Sequence, residues 1–201
     1  MINNKTALSL TAIALILSAC AATEINSTKN ETSPIVQKST SVSAEKLAPL
    51  NNDDLYETFH DGRTYVFDDF DTFQMFLKVG ETAYRKVFIT GGNKGETLVF
   101  GLTSKDKKKS SGIASIDLYF NRLTESDDFY GEYRNTHDNR IYVFSTLNDM
   151  QDYRKIGDAI YRYTDIGAGP NGQTVVYVLN KKNKKNKPVA LIANFKKKYH
   201  L

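Results

Sequence analysis

Around Asp61-Gly62 the chain alternates apolar and polar side chains. Arg63, Tyr65 and Phe67 share one face of a strand and Thr64 and Val66 the other, because successive side chains point to opposite faces. Asp-Gly between aromatic and β-branched residues predicts a hairpin, since a type I′ turn needs φ > 0 at both central positions. Helical spacing follows, with Phe73, Phe76 and Leu77 on one side, Asp71 as the expected N-cap, Gln74 three residues on, and Gly80 as the C-cap. Residues 83–90 read as a strand, Gly91, Gly92 and Gly95 as a turn, and residues 97–102 as a near-continuous apolar strand central in a sheet. After a lysine-rich loop, residues 113–120 read as a further strand.

The same pattern returns 77 positions later. His60-Asp61-Gly62-Arg63-Thr64-Tyr65-Val66-Phe67 is matched by His137-Asp138-Asn139-Arg140-Ile141-Tyr142-Val143-Phe144. Gly80 falls on Gly157, Tyr84-Arg85 on Tyr161-Arg162, and Gly95 and Thr97 on Gly172 and Thr174. In the second helix Asn148 is the expected cap, with Met150, Tyr153 and Ile156 inward, and residues 189–195 answer to 113–120. The folded part therefore reads as one unit of roughly 75 residues written twice, 51–126 and 127–201. The expected fold is α+β: two tandem ββαβββ repeats, each a mostly antiparallel sheet with one short helix, sharing one core about a pseudo-twofold axis. Either unit alone would be marginal at this size without disulfides.

Charge narrows the partners. The chain has 27 Lys+Arg against 23 Asp+Glu, a formal net charge of +4, which does not suggest a nucleic-acid binder. The placement is uneven: Lys105, Lys107, Lys108 and Lys109 cluster in one loop, and Lys181, Lys182, Lys184, Lys185 and Lys187 in its counterpart. These clusters suit an anionic partner, or are simply solvated loops that guard strand ends. The single cysteine, Cys20, leaves the folded part with neither a disulfide nor a thiolate metal site.

The amino-terminal stretch is an address. Lys5 precedes an apolar run over residues 7–17, too short to span a bilayer comfortably. It ends in Leu17-Ser18-Ala19-Cys20, which resembles the lipobox of bacterial lipoproteins. The resemblance implies a signal peptide over residues 1–19, lipidation of Cys20, and, with Ala21 rather than Asp next, retention in the outer membrane. Residues 20–50 are dominated by Ser, Thr, Asn, Glu, Lys and Ala, with few large apolar residues and no aromatic, and read as a disordered tether.

Three groups of residues are candidates for chemistry. His60 and His137, each followed by Asp, could form a metal or acid–base site where the units meet, or flank Asx turns on wet hairpin tips. Two histidines without a third ligand make a poor zinc site, and no cofactor is expected. Arg63, Arg140, Arg85 and Arg162, with Tyr84 and Tyr161, could line a groove for an anionic ligand or serve as cross-strand ion pairs. Lys107, Lys108, Lys184 and Lys185 are the candidates in the basic loops. Gly91-Gly92-Asn93-Lys94-Gly95 leads into a strand rather than a helix, so it is a turn and not a phosphate loop. Neither a Gly-x-Ser-x-Gly elbow nor a zincin motif occurs.

Asp61-Gly62-x-x-Tyr65-x-Phe67, then Phe73 and Phe76, then Gly80-Glu81-x-x-Tyr84, loosely resembles the YHS domain over about 25 residues per copy. The resemblance implies a small α+β unit, and no metal role, because the associated cysteines are absent. Together these features point to a lipid-anchored binding or interaction module whose partners are the membrane and an anionic envelope component or another envelope protein. The alternatives are an enzyme acting on an envelope polymer through the His-Asp pairs, and a structural envelope spacer.

Overall fold

The computed structural model describes residues 50–201. The expected signal peptide, Cys20 and nearly all of the tether lie outside the described residues. Twelve elements follow in order: β1 (Asp54–His60), β2 (Arg63–Phe67), α1 (Phe70–Val79), β3 (Arg85–Phe88), β4 (Thr97–Gly101), α2 (Ala114–Tyr119), β5 (Tyr130–Asn135), β6 (Arg140–Phe144), α3 (Leu147–Ile156), β7 (Tyr161–Asp165), β8 (Thr174–Leu179) and α4 (Val189–Tyr199). The eight strands form one sheet in the order β3-β4-β2-β1-β5-β6-β8-β7. The fold is α+β and the sheet mostly antiparallel: four pairings are antiparallel, while β1–β5, β2–β4 and β6–β8 are parallel. Among the described residues no helix is long and apolar enough to cross a membrane.

The element order ββαββα runs twice, which corrects the expected ββαβββ. Residues 113–120 and 189–195 are not strands; they fall in or beside α2 and α4. In α4 the stripe is Leu191, Phe195 and Tyr199, a spacing of four that suits a helix, with three lysines in the last turn favoured by the helix dipole. The strand expected over residues 83–90 shrinks to β3, leaving Tyr84 outside it. β4 and β8 lie one place in from the edges; the centre is the parallel pair β1 and β5.

The helix caps sit two residues earlier than expected. The Asp69 carboxylate accepts from the Thr72 N–H at 2.8 Å, and the Thr146 hydroxyl from the Asp149 N–H at 3.1 Å, in place of Asp71 and Asn148. Gly80 and Gly157 close the two helices at φ 75 and 81, as left-handed C-caps should. Ile156, expected inward, is 57 % exposed.

The core lies in two layers. Tyr56, Phe67, Phe73, Phe76, Tyr177 and Phe195 pack on the face carrying α1 and α4. Val66, Phe100, Tyr119, Phe144, Met150 and Tyr153 pack on the face carrying α2 and α3. Residues 77 positions apart fall on opposite faces: Tyr65 with Tyr142, Phe67 with Phe144, Val66 with Val143, Phe76 with Tyr153, Phe100 with Tyr177.

The hairpins differ. In the first, His60 pairs with Arg63 across Asp61 and Gly62, at φ 48 and 73, a two-residue turn as expected. In the second, Asn135 pairs with Arg140, so Thr136, His137, Asp138 and Asn139 form a four-residue loop. The two additional residues shift β5 against β6. Glu57 lies opposite Val66, and it is Glu132, 75 positions on, that lies opposite Val143. Asn135, not His137, therefore takes the place of His60.

Candidate functional site

Strand alternation sends Leu55, Glu57 and Phe59 to the face of α2 and α3. Glu57 is only 1 % exposed. Arg154 reaches it from α3, donating Nε to Oε1 at 2.8 Å and Nη2 to the same oxygen. The guanidinium lies 4.3 Å over the ring of Tyr119, the last residue of α2. A buried charge of this kind stands only when paired.

The pair forms the floor of a cleft of about 420 Å³ between α2 and α3. Tyr119, Tyr133 and Tyr153 wall it, with Tyr133 and Tyr153 ring centroids 5.3 Å apart. Burial, with the Glu57 charge adding to it, pushes the Tyr133 phenol up to about 12, and the same two causes raise that of Tyr119. Burial raises Tyr153 too. All three are neutral hydroxyls at physiological pH. Glu96 closes one side, accepting from the Thr64 hydroxyl at 3.1 Å and the Lys94 N–H at 2.9 Å. Asn93, Asn135 and His137 stand at the rim.

The cleft exists because the two faces are finished differently. On the α1/α4 face, α4 runs eleven residues and its last turn covers the central strands. There Glu132, 0 % exposed, accepts from the Tyr130 hydroxyl at 2.9 Å, Arg134 Nε at 2.7 Å and the Tyr199 hydroxyl at 2.7 Å. Lys198 pairs with Asp54 at 3.1 Å beside it. α2 is only six residues long, and Asn121, at φ 58, turns the chain away after it. Among the described residues, no hydroxyl on that face bonds Glu57 as that of Tyr199 bonds Glu132; Arg154 alone covers its carboxylate. A hollow of about 410 Å³ on the other face has Gln173 where the cleft has Glu96, and Leu77 where it has Arg154.

The residues singled out in the sequence are partly brought together. Lys107 lies 4.4 Å over the Tyr84 ring and Lys184 4.3 Å over that of Tyr161, two like pairs flanking opposite edges of the sheet. Lys108 and Lys185 make no ion pair among the described residues. The four arginines do not share a groove. Arg63 and Arg140 open β2 and β6 at the hairpin end, on opposite faces, with Arg140 3.4 Å from Asp138. Arg85 and Arg162 pair with Gly101 and Val178 at the other end, where Arg162 binds Asp158 at 3.1 Å.

The histidines do not meet either. His60 packs its ring on Phe76 at 5.8 Å on the α1 face, while His137 stands at the rim of the cleft on the other. Among the described residues no three His, Cys, Asp or Glu side chains come together to hold a metal. The lysine loop after β8 borders a hollow of about 550 Å³, but Asp149, Asp152 and Asp158 line it with Lys181 and Lys182, so its charge is mixed.

Sequence reasoning missed Glu57, Glu96, Tyr119 and Arg154. One signal was present: Glu57 and Glu132 each stand within a run of aromatic and apolar residues, where a carboxylate is out of place unless it is partnered. No family model matches the chain, and neither a curated protein nor a solved structure matches it.

Proposed function

We propose that the chain is a lipid-tethered envelope protein whose folded part is a binding module with its ligand site in the Glu57–Arg154 cleft. The observation that carries this is the contrast between two buried carboxylates. Glu132 is closed over by Tyr199, whereas Glu57 forms the floor of an open, aromatic-walled hollow. Concave sites with apolar walls and a few convergent polar groups are where ligands bind.

The module is two copies of one ββαββα unit. The order of elements, the matching pairs Arg63–Thr97 and Arg140–Thr174, and the exchange of faces at a spacing of 77 support this. A twofold axis along the strands between β1 and β5 keeps those neighbours parallel and exchanges the faces of the sheet. The Leu17-Ser18-Ala19-Cys20 motif supports anchoring at Cys20, and Ala21 supports the outer membrane. The described chain begins at the end of the sheet that carries both lysine loops, where an anionic envelope component would be met. The cleft lies toward the other end, beside the β5–β6 loop and the β3–β4 turn.

Two experiments test the reading. Metabolic labelling with a palmitate analogue marks the wild type and not Cys20→Ser; equal labelling of both removes the anchor. Envelope extract raises the melting temperature of the full chain but not that of Asn135→Trp, which fills the cleft from its rim. An equal shift in both removes the cleft as the binding site.

A further inference from the structure

Resting on the cleft reading above, we propose that its ligand is an uncharged saccharide. The walls and floor offer what a sugar ring needs and what other ligand classes do not. The lining counts two carboxylates, Glu57 and Glu96, and two cations, Arg154 and Lys94, so its formal charge balances. A polyanion would be set against two carboxylates and a polycation against a guanidinium and an ammonium. A purely apolar ligand would strip water from the half-buried Glu96 carboxylate without replacing its hydrogen bonds, at a cost in desolvation.

The floor is specific. Glu57 Oε1 is taken up by Arg154. Among the described residues no donor reaches Glu57 Oε2, and Arg154 Nη1 donates to no acceptor. One carboxylate oxygen and one guanidinium nitrogen of the floor therefore keep hydrogen-bonding capacity that the ion pair does not use. Sugar hydroxyls suit both, because an O–H can donate to the carboxylate oxygen and accept from the guanidinium N–H.

The walls fit as well. Tyr133, half-buried, is the wall ring on which a pyranose can pack its axial C–H groups, and its neutral phenol can bond a sugar hydroxyl. Asn93 and Asn135 add amide groups at the rim. The volume, about 420 Å³, falls in the ~300–1,000 Å³ typical of small-molecule sites. The hollow on the other face lacks this set: Gln173 and Leu77 replace Glu96 and Arg154.

The test is isothermal titration of the full chain with four probes: an N-acetylglucosamine trimer, maltotriose, citrate and spermidine. At least one of the two sugars binds saturably, with affinity unchanged at ~0.5 M sodium chloride, where surface charge is screened. Asn135→Trp and Tyr133→Ala each weaken that binding by about tenfold or more. Binding of neither sugar, or of citrate or spermidine in their place, overturns the saccharide reading. The extract experiment with Asn135→Trp then decides the cleft separately. Equal sugar affinity in wild type and Asn135→Trp overturns both.

Discussion

Glu57 and Glu132 hold matching places in the sheet, opposite Val66 and Val143, yet their carboxylates lie on opposite faces and have different partners. Glu132 has three neighbours donating to it: Tyr130, Arg134 and Tyr199. Among the described residues, Glu57 has Arg154 as its single side-chain partner. Removing one partner of a buried pair leaves an uncompensated charge, at roughly 3–5 kcal/mol. Arg154→Met is expected to lose about that much in urea unfolding. Arg134→Met should lose clearly less, because two phenols still serve Glu132, and adding Glu57→Gln to Arg154→Met should restore most of the loss. Equal losses in the two single variants would contradict this account.

Tyr199 closes the α1/α4 face with its hydroxyl, which donates to Glu132 and accepts from Arg134 Nη2 at 2.9 Å and Gln74 Nε2 at 3.1 Å. Tyr199→Phe keeps the ring packed on Phe195 and Phe70 but leaves those groups short of a partner. The expected loss is about 1–3 kcal/mol, the range for an unsatisfied buried polar group. Thermal unfolding followed by circular dichroism measures it; an unchanged midpoint would mean that water replaces the hydroxyl.

Much of this architecture is legible in the chain, and the failures have physical causes. Asp61-Gly62 and the strand after it declare the first hairpin because turn chemistry and alternation agree. In 113–120, Ala114, Ile116 and Leu118 alternate like strand residues, and α2 is too short for a 3.6-residue period to separate from one of two. α4 carried the correcting signal at Leu191, Phe195 and Tyr199. The four-residue loop of the second hairpin was hidden because His137-Asp138 aligns so well with His60-Asp61. Two residues gained before it move β5 in register without disturbing the motif. The cleft was the least legible part, since Glu57 and Arg154 are 97 positions apart and meet only once β1 and β5 pair.

Asp68 gives the stability a definite pH dependence. It is 5 % exposed, and burial pushes its carboxyl up to about 6, offset in part by the Ser115 N–H donating to it at 2.8 Å. A carboxyl raised in the folded state is no penalty below the unfolded value of 3.8. As pH rises from there toward 6 the unfolded chain ionises first, so stability falls and then levels off. The span corresponds to about 3 kcal/mol at ~1.36 kcal/mol per unit. Asp68→Asn keeps an acceptor for Ser115 and removes the charge. Its stability relative to wild type should therefore rise between pH 4 and 6, then stay constant. A difference flat across that window would show that Asp68 does not titrate there.

The two halves should unfold together, and the first should not fold alone. The sheet is continuous through the β1–β5 pair, and the contacts across that seam are both numerous in kind and central. The Tyr130 N–H donates to the Asp53 carbonyl at 2.7 Å, and the Thr58 hydroxyl to that of Arg134 at 3.1 Å. Two buried charges of β1, Asp54 and Glu57, find their cations only in the second half, at Lys198 and Arg154. A chain cut after residue 126 would leave β1 as an edge strand, with Leu55 and Tyr56, both 0 % exposed in the whole domain, facing fewer neighbours. A fragment of that size buries too little surface to offset this without disulfides. Residues 50–126 alone are expected to be unfolded or aggregated by circular dichroism. The full chain contains no tryptophan, so tyrosine fluorescence and far-ultraviolet ellipticity are the probes, and their urea transitions should coincide. Two separated transitions, or a folded first half, would mean that the seam between β1 and β5 is an interface between independent domains rather than the middle of one core.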